Sequence, residues 1–130
     1  MRATRSDRGS ASLVMLAMFV ALFLAVGLVF DGGQVLATRR DVISAAESSA
    51  RLAADSADPF GAALDRAAAR VVVDDYVAGL DGISVVDVRI DGGGARVVVT
   101  LRATAHEVFF PVVGLAPAIV TETGSAEVRR

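Results

Sequence analysis

His106 and Glu107 stand side by side and include the one histidine in the 130-residue chain. A metal centre or an acid–base site could draw on such a pair, but each needs more. A metal needs further ligands at suitable spacing, and acid–base catalysis needs a positioned partner. No second ligand stands at metal spacing, and the chain has no cysteine. The pair is expected at the surface, at the end of a strand. Asp74 and Asp75 offer two carboxylates, but neighbours on a helix point about 100° apart, a poor geometry for shared acid–base work. They are expected on a solvated face. Asp91-Gly92-Gly93-Gly94 is glycine-rich, yet neither a helix nor a lysine follows it, so it reads as a turn and not a phosphate loop. The serines have no histidine at a recognisable triad spacing. The expectation is therefore no enzyme, no cofactor, no metal and no small-molecule substrate.

The other chemistry on offer is adhesive. Phe109-Phe110-Pro111-Val112-Val113 sets two aromatic rings beside a proline in a connecting segment. If exposed, Phe109, Phe110 and Pro111 would form a docking patch for a partner or for the outer leaflet of a membrane. The alternative is that the rings fold back beneath the helices as core.

The elements that must position these residues are made of two materials. Apolar residues make up 54% of the chain and mean hydropathy is +0.57, with the excess concentrated in one block. From Ala11 to Phe30 the only polar side chain is Ser12. Twenty helical residues span about 30 Å, the thickness of a hydrocarbon core. This is longer than the apolar core of a secretory signal, although Val35-Leu36-Ala37 loosely matches a small-residue cleavage site, which keeps secretion with loss of the anchor as an alternative. Arg2, Arg5 and Arg8 precede the stretch and Asp31 follows it. The positive-inside rule then puts the N-terminus in the cytoplasm and the C-terminal domain outside it, in a single-pass protein of the cytoplasmic membrane. Ala17, Ala21 and Ala25 recur every four residues. That spacing either makes a face on which another helix packs closely or reflects the abundance of alanine in the chain. The overall charge of −2 is acidic beyond the first ten residues, and no basic patch is present, so nucleic acid is not an expected partner.

Beyond the span, Asp31-Gly32-Gly33 marks a weak point for a helix. Helical period then resumes, with Val35, Leu36, Val42, Ile43, Ala46, Ala50, Ala53 and Ala54 near one face, and Asp58-Pro59 ends it. A second helix fits residues 60–80, stopping at Gly79 or Gly82. The period then becomes two. Val86, Val88 and Ile90 alternate with Val85, Asp87 and Arg89, and Val97, Val99, Leu101 and Ala103 alternate with Arg96, Val98, Thr100 and Arg102. The glycine run between the two stretches predicts a hairpin. A last strand runs through AIVTETGSAEVR, with Gly124 as a bulge or weak spot. The segment between, VFFPVVGLAPAIV, is too short to span a bilayer, so its first half is expected to be an irregular or short helical crossover. The reading is α+β. Residues 1–10 are a cytoplasmic N-terminus, 11–30 a transmembrane helix, 31–57 an amphipathic helix and 58–130 an exported domain whose three-stranded antiparallel sheet needs the helix as cover.

The sequence Asp7-Arg8-Gly9-Ser10-Ala11-Ser12 entering the span, Gly27-Leu28-Val29-Phe30-Asp31-Gly32-Gly33 leaving it, then Ala37-Thr38-Arg39-Arg40 and the alanine-rich run from Ile43 to Ala54, resembles the TadE/TadG-like proteins of tight-adherence (Flp) pilus systems, in their actinobacterial style. The resemblance is best over residues 7–54. It implies a minor pilin-like or assembly protein of the cell envelope, working in adhesion or secretion beside other pilus subunits, a secretion ATPase and an inner-membrane platform. It also implies possible prepilin-type cleavage between Gly9 and Ser10. Val14 stands where such substrates generally carry a glutamate, which leans toward the TadG-like side, where the span simply anchors the protein. The alternative is a membrane-tethered sensor or adaptor of another envelope complex.

Overall fold

The computed structural model of the chain describes residues 6–56 and 65–128. The expected helix end at Asp58-Pro59 and the expected start of the second helix at Phe60 lie outside them. The first element, α1, is one continuous helix from Ser6 to Asp55, about 75 Å long at 1.5 Å per residue. Its first part is the apolar stretch, which is exposed throughout except at Gly27. Among the described residues it is the one helix long and apolar enough to cross a membrane. The weak point expected at Asp31-Gly32-Gly33 does not interrupt it. Each glycine costs about 1 kcal/mol of helix propensity, and the segments on either side hold the helix through that cost.

Past Asp31 the helix becomes one-sided. Val42, Ala45, Ala46, Ala50, Ala53 and Ala54 are buried, while Leu36, expected on that face, is 57% exposed. The second helix, α2, covers Arg66–Ala78 and buries Ala69, Val73 and Val77. Together α1 and α2 cover one face of a three-stranded antiparallel sheet of order β1-β2-β3, with β1 at Ile83–Asp91, β2 at Arg96–Thr104 and β3 at Ile119–Glu127. This is the expected α+β arrangement.

The hairpin between β1 and β2 needs its glycines. Gly92, Gly93 and Gly94 take φ of 65°, 65° and 94°, a region that costs any residue with a Cβ. Val97, Val99 and Leu101 of β2 are fully buried, as their alternation predicts. On β1 the alternation slips. The register passes from Val85↔Leu101 directly to Asp87↔Thr100, so Val86 is the extra residue of a bulge and is 41% exposed. Ile83 and Val85 face the core before it, and Val88 and Ile90 after it. The expected grouping of Val86 with Val88 and Ile90 on one face is corrected accordingly.

The bulge expected at Gly124 is absent, because β2 and β3 pair without a break from Arg96↔Glu127 to Thr104↔Ile119. Gly124 is instead where the sheet meets α1. A Cβ there would collide with the backbone of Ala46 and Glu47. Alanines on the helix and glycine on the strand let the two backbones approach closely. Arg39 reaches across to Glu122 at 2.6 Å, a half-exposed ion pair that adds little beside this packing.

Gly124→Ala should lower the stability of the detergent-solubilised chain by about 2–3 kcal/mol through overpacking. Gly33→Ala, with nothing within 4 Å of its Cβ position, should raise it by about 0.5–1 kcal/mol. Denaturant titration of the two variants measures this, and equal shifts would rule out the close approach at Gly124.

Candidate functional site

Asp31 is the first residue past the apolar stretch, and it is fully buried. A carboxylate can be buried only if donors replace its water. Three backbone N–H groups do so: Val108 donates at 3.0 Å, Phe109 at 2.8 Å and Phe110 at 2.6 Å. These belong to the start of α3, a single turn from Phe109 to Val112 in the crossover between β2 and β3. The first N–H groups of a helix have no partner within it, and the residue preceding α3, Val108, has no side chain able to cap them. Asp31 supplies the acceptor from 77 residues earlier in the chain. Ionised, it is acceptor-only and suited to several N–H donors at once.

Beside this contact the Phe109 ring lies on Gly27. A Cβ on Gly27 would fall 2.6 Å from the ring's Cγ and Cδ1, so only glycine leaves the socket open. Phe23 and Phe30 flank the ring edge-to-face, with centroids at 5.6 and 6.3 Å and interplanar angles of 69° and 74°, the geometry that aromatic quadrupoles favour. The base of the crossover is closed separately. Ala105 N–H donates to the Ala118 carbonyl at 2.9 Å, and Ala118 N–H is shared by both Glu107 carboxylate oxygens at 3.2 Å.

The other candidate residues are spread over the molecule. His106 is exposed and borders a shallow cleft with Thr38, Asp41 and Asp81. Its neighbour Glu107 is half-buried and serves the crossover backbone. Asp74 pairs with Arg70 at 2.9 Å one turn away, and Asp75 is exposed. Among the described residues no three acidic or histidine side chains gather as a metal site would require. Gly9 and Ser10 lie within the first turns of α1. Ala17, Ala21 and Ala25 are exposed. At 100° per residue their face lies about 120° around the helix from Gly27, so it is separate from the face that Phe109 occupies. Phe109 and Phe110 are half-buried and Pro111 exposed. Of the expected patch, Phe109 meets the apolar part of α1 and not the helical cover of the sheet.

Sequence reasoning treated Asp31 as a flanking charge and Gly27 as part of a motif, and it did not pair either with the crossover. An acidic residue directly against an apolar run was the available signal, but nothing in the spacing names its partners.

Residues 9–56 match the Tad family of Flp pilus-assembly TadE/G-like proteins. The matched stretch contains the apolar span, Gly27, Asp31 and the alanine face up to the end of α1. No curated protein and no solved structure matches the chain. The earlier resemblance thus holds over this segment and supports a role related to Flp pilus assembly, while the apolar helix fits a single-pass membrane anchor.

Asp31→Asn would replace one acceptor oxygen with an N–H₂ group facing backbone donors. Hydrogen exchange at the Val108, Phe109 and Phe110 amides should then accelerate roughly tenfold or more, with the β2 amides of Val97 and Val99 unaltered. Phe109→Ala should loosen the same amides with Asp31 intact. Unaltered exchange in both variants would disprove the role of the docked crossover.

Proposed function

We propose that the chain is a minor pilin-like or assembly component of a tight-adherence (Flp) pilus or a related secretion system. It is held in the cytoplasmic membrane by residues 11–30, with its N-terminus inside and its α+β domain outside, and it acts through contacts with other subunits and the inner-membrane platform. The observation that carries this reading is the family match over residues 9–56, on a helix that continues unbroken from the apolar span into the packed domain. The arginines before the span and Asp31 after it support the orientation. The exposed Ala17, Ala21 and Ala25 offer a face of small side chains, the surface on which apolar helices associate in lipid. Val14, at the position where processed subunits generally carry glutamate, favours a permanent anchor over entry into the filament shaft.

Intact mass of the protein from native membranes should equal that of the full chain. A mass lacking the first nine residues would replace the anchor reading with that of a processed, pilin-like subunit. Deleting the gene should abolish or shorten surface filaments, and complementation with Ala21→Leu should restore membrane insertion but not filaments. Filaments unchanged by the deletion would favour a tethered adaptor of another envelope complex.

A further inference from the structure

The crossover is fixed to α1 at a depth that the span itself defines. Gly27 lies about 4.5 Å inside Phe30, and Phe23 about 10 Å inside it, at 1.5 Å per residue. If residues 11–30 fill a hydrocarbon core of about 30 Å, the Phe109 ring that touches both residues lies below the boundary of that core. The α3 turn must then lie there too, since Asp31 holds its first N–H groups at the end of the span.

Two further features of the segment suit that depth. From Val108 to Ile119 no side chain is charged or polar, and Val112, Val113 and Leu115 are exposed by 79%, 47% and 53%. Its backbone is also largely closed. Val108, Phe109 and Phe110 donate to Asp31, Pro111 has no N–H, and Val113, Gly114 and Leu115 donate to the carbonyls of Phe109, Pro111 and Phe110. Backbone polar groups at membrane depth must find partners within the protein, and these N–H groups do.

We infer that residues 108–115 form a second membrane contact, a shallow wedge in the outer leaflet beside the span, with Val112, Val113 and Leu115 against lipid acyl chains. The occupant is lipid and not a second protein, because the exposed apolar surface is joined directly to the span, where Phe109 packs on Gly27 and Phe23. This inference rests on the reading of residues 11–30 as a membrane span. It gives the outer domain two attachments to the bilayer, the helix and the wedge, which fix the orientation of the sheet as one flexible linker could not.

The chain contains no cysteine, so a single introduced one takes a fluorescent label uniquely. Full-length Val112→Cys, Leu115→Cys, Phe19→Cys and Ser125→Cys, each carrying an NBD label, would be reconstituted in phosphatidylcholine nanodiscs. The wedge predicts that labels at 112 and 115 lose quenching by aqueous iodide, as at 19, and are quenched by phosphatidylcholine brominated near the ester end of its acyl chains. The label at 125 should respond to iodide alone. Iodide quenching at 112 and 115 with shielding at 19 would overturn the wedge and leave the span standing. Iodide quenching at 19 would overturn the span and the wedge with it. Shielding at 112 and 115 without quenching by brominated lipid would show a protein neighbour on the face and would also overturn the proposal. Native-like exchange protection at Val97 and Val99 in each labelled variant guards against an unfolded domain.

Discussion

Burying a carboxylate where an apolar helix ends is a demanding constraint, and the placement of the α+β domain on α1 follows from how Asp31 meets it. What it accepts from is the three consecutive N–H groups that begin α3. Because the crossover leaves β2 at Thr104 and enters β3 at Ile119, holding α3 at Asp31 brings that end of the sheet to the end of the span. The strand then climbs α1. Gly124 meets the backbone at Ala46 and Glu47, and the last residues of β3 reach the level of Arg51 and Asp55. The hairpin at Gly92–Gly94 therefore sits at the end of the sheet away from the span. One buried charge sets which end of the sheet is low and which is high.

The second determinant is the small volume of what lies between helix and sheet. The face of α1 buried against the domain is alanine with one valine and one serine, Ser49, and the largest fully buried side chain of the sheet is Leu101. Burial at about 25 cal/mol per Å² rewards area, and small side chains contribute little each, so the contact gains its area by close approach over many residues. That is why Gly124 matters more than its lack of a side chain suggests. It also explains why the six ion pairs among the described residues, all with exposed or half-exposed partners, decorate the domain without deciding its shape.

Much of this was legible in the sequence, because its signals are local. A twenty-residue apolar stretch, a glycine run between two alternating stretches, and alanines at helical spacing each carry their meaning within a short window. What was missed depends on distant residues. The carboxylate of Asp31 and its donors are separated by 77 to 79 residues, and no pattern in either segment names the other. Gly124 looked like a strand defect because the helix that requires it lies some eighty residues earlier. Val86 was misplaced because strict alternation leaves no place for the extra residue of a bulge. Gly32 and Gly33 looked like a break because propensity counts only local cost, whereas the helix is held on both sides of them. At the candidate site, Phe109 was recognised as sticky from its neighbours, but the surface it meets was not.

The two uses of α1 within its apolar part require different small residues on different faces. Gly27 must be glycine, since even a methyl group would strike the Phe109 ring. Ala17, Ala21 and Ala25, about 120° away, need only be small for another helix to come near. A partner on the alanine face would thus leave the Phe109 socket untouched, and the socket in turn fixes how the domain is rotated about the helix axis relative to that partner. Since α1 runs from the span into the sheet packing without a break, the angular relation is carried by helical hydrogen bonds rather than by a linker. An apolar anchor built only to retain a protein at the membrane would need neither a glycine socket nor a buried aspartate at its exit. The glycine socket and the buried aspartate together hold the α+β domain at a defined rotation about the helix axis.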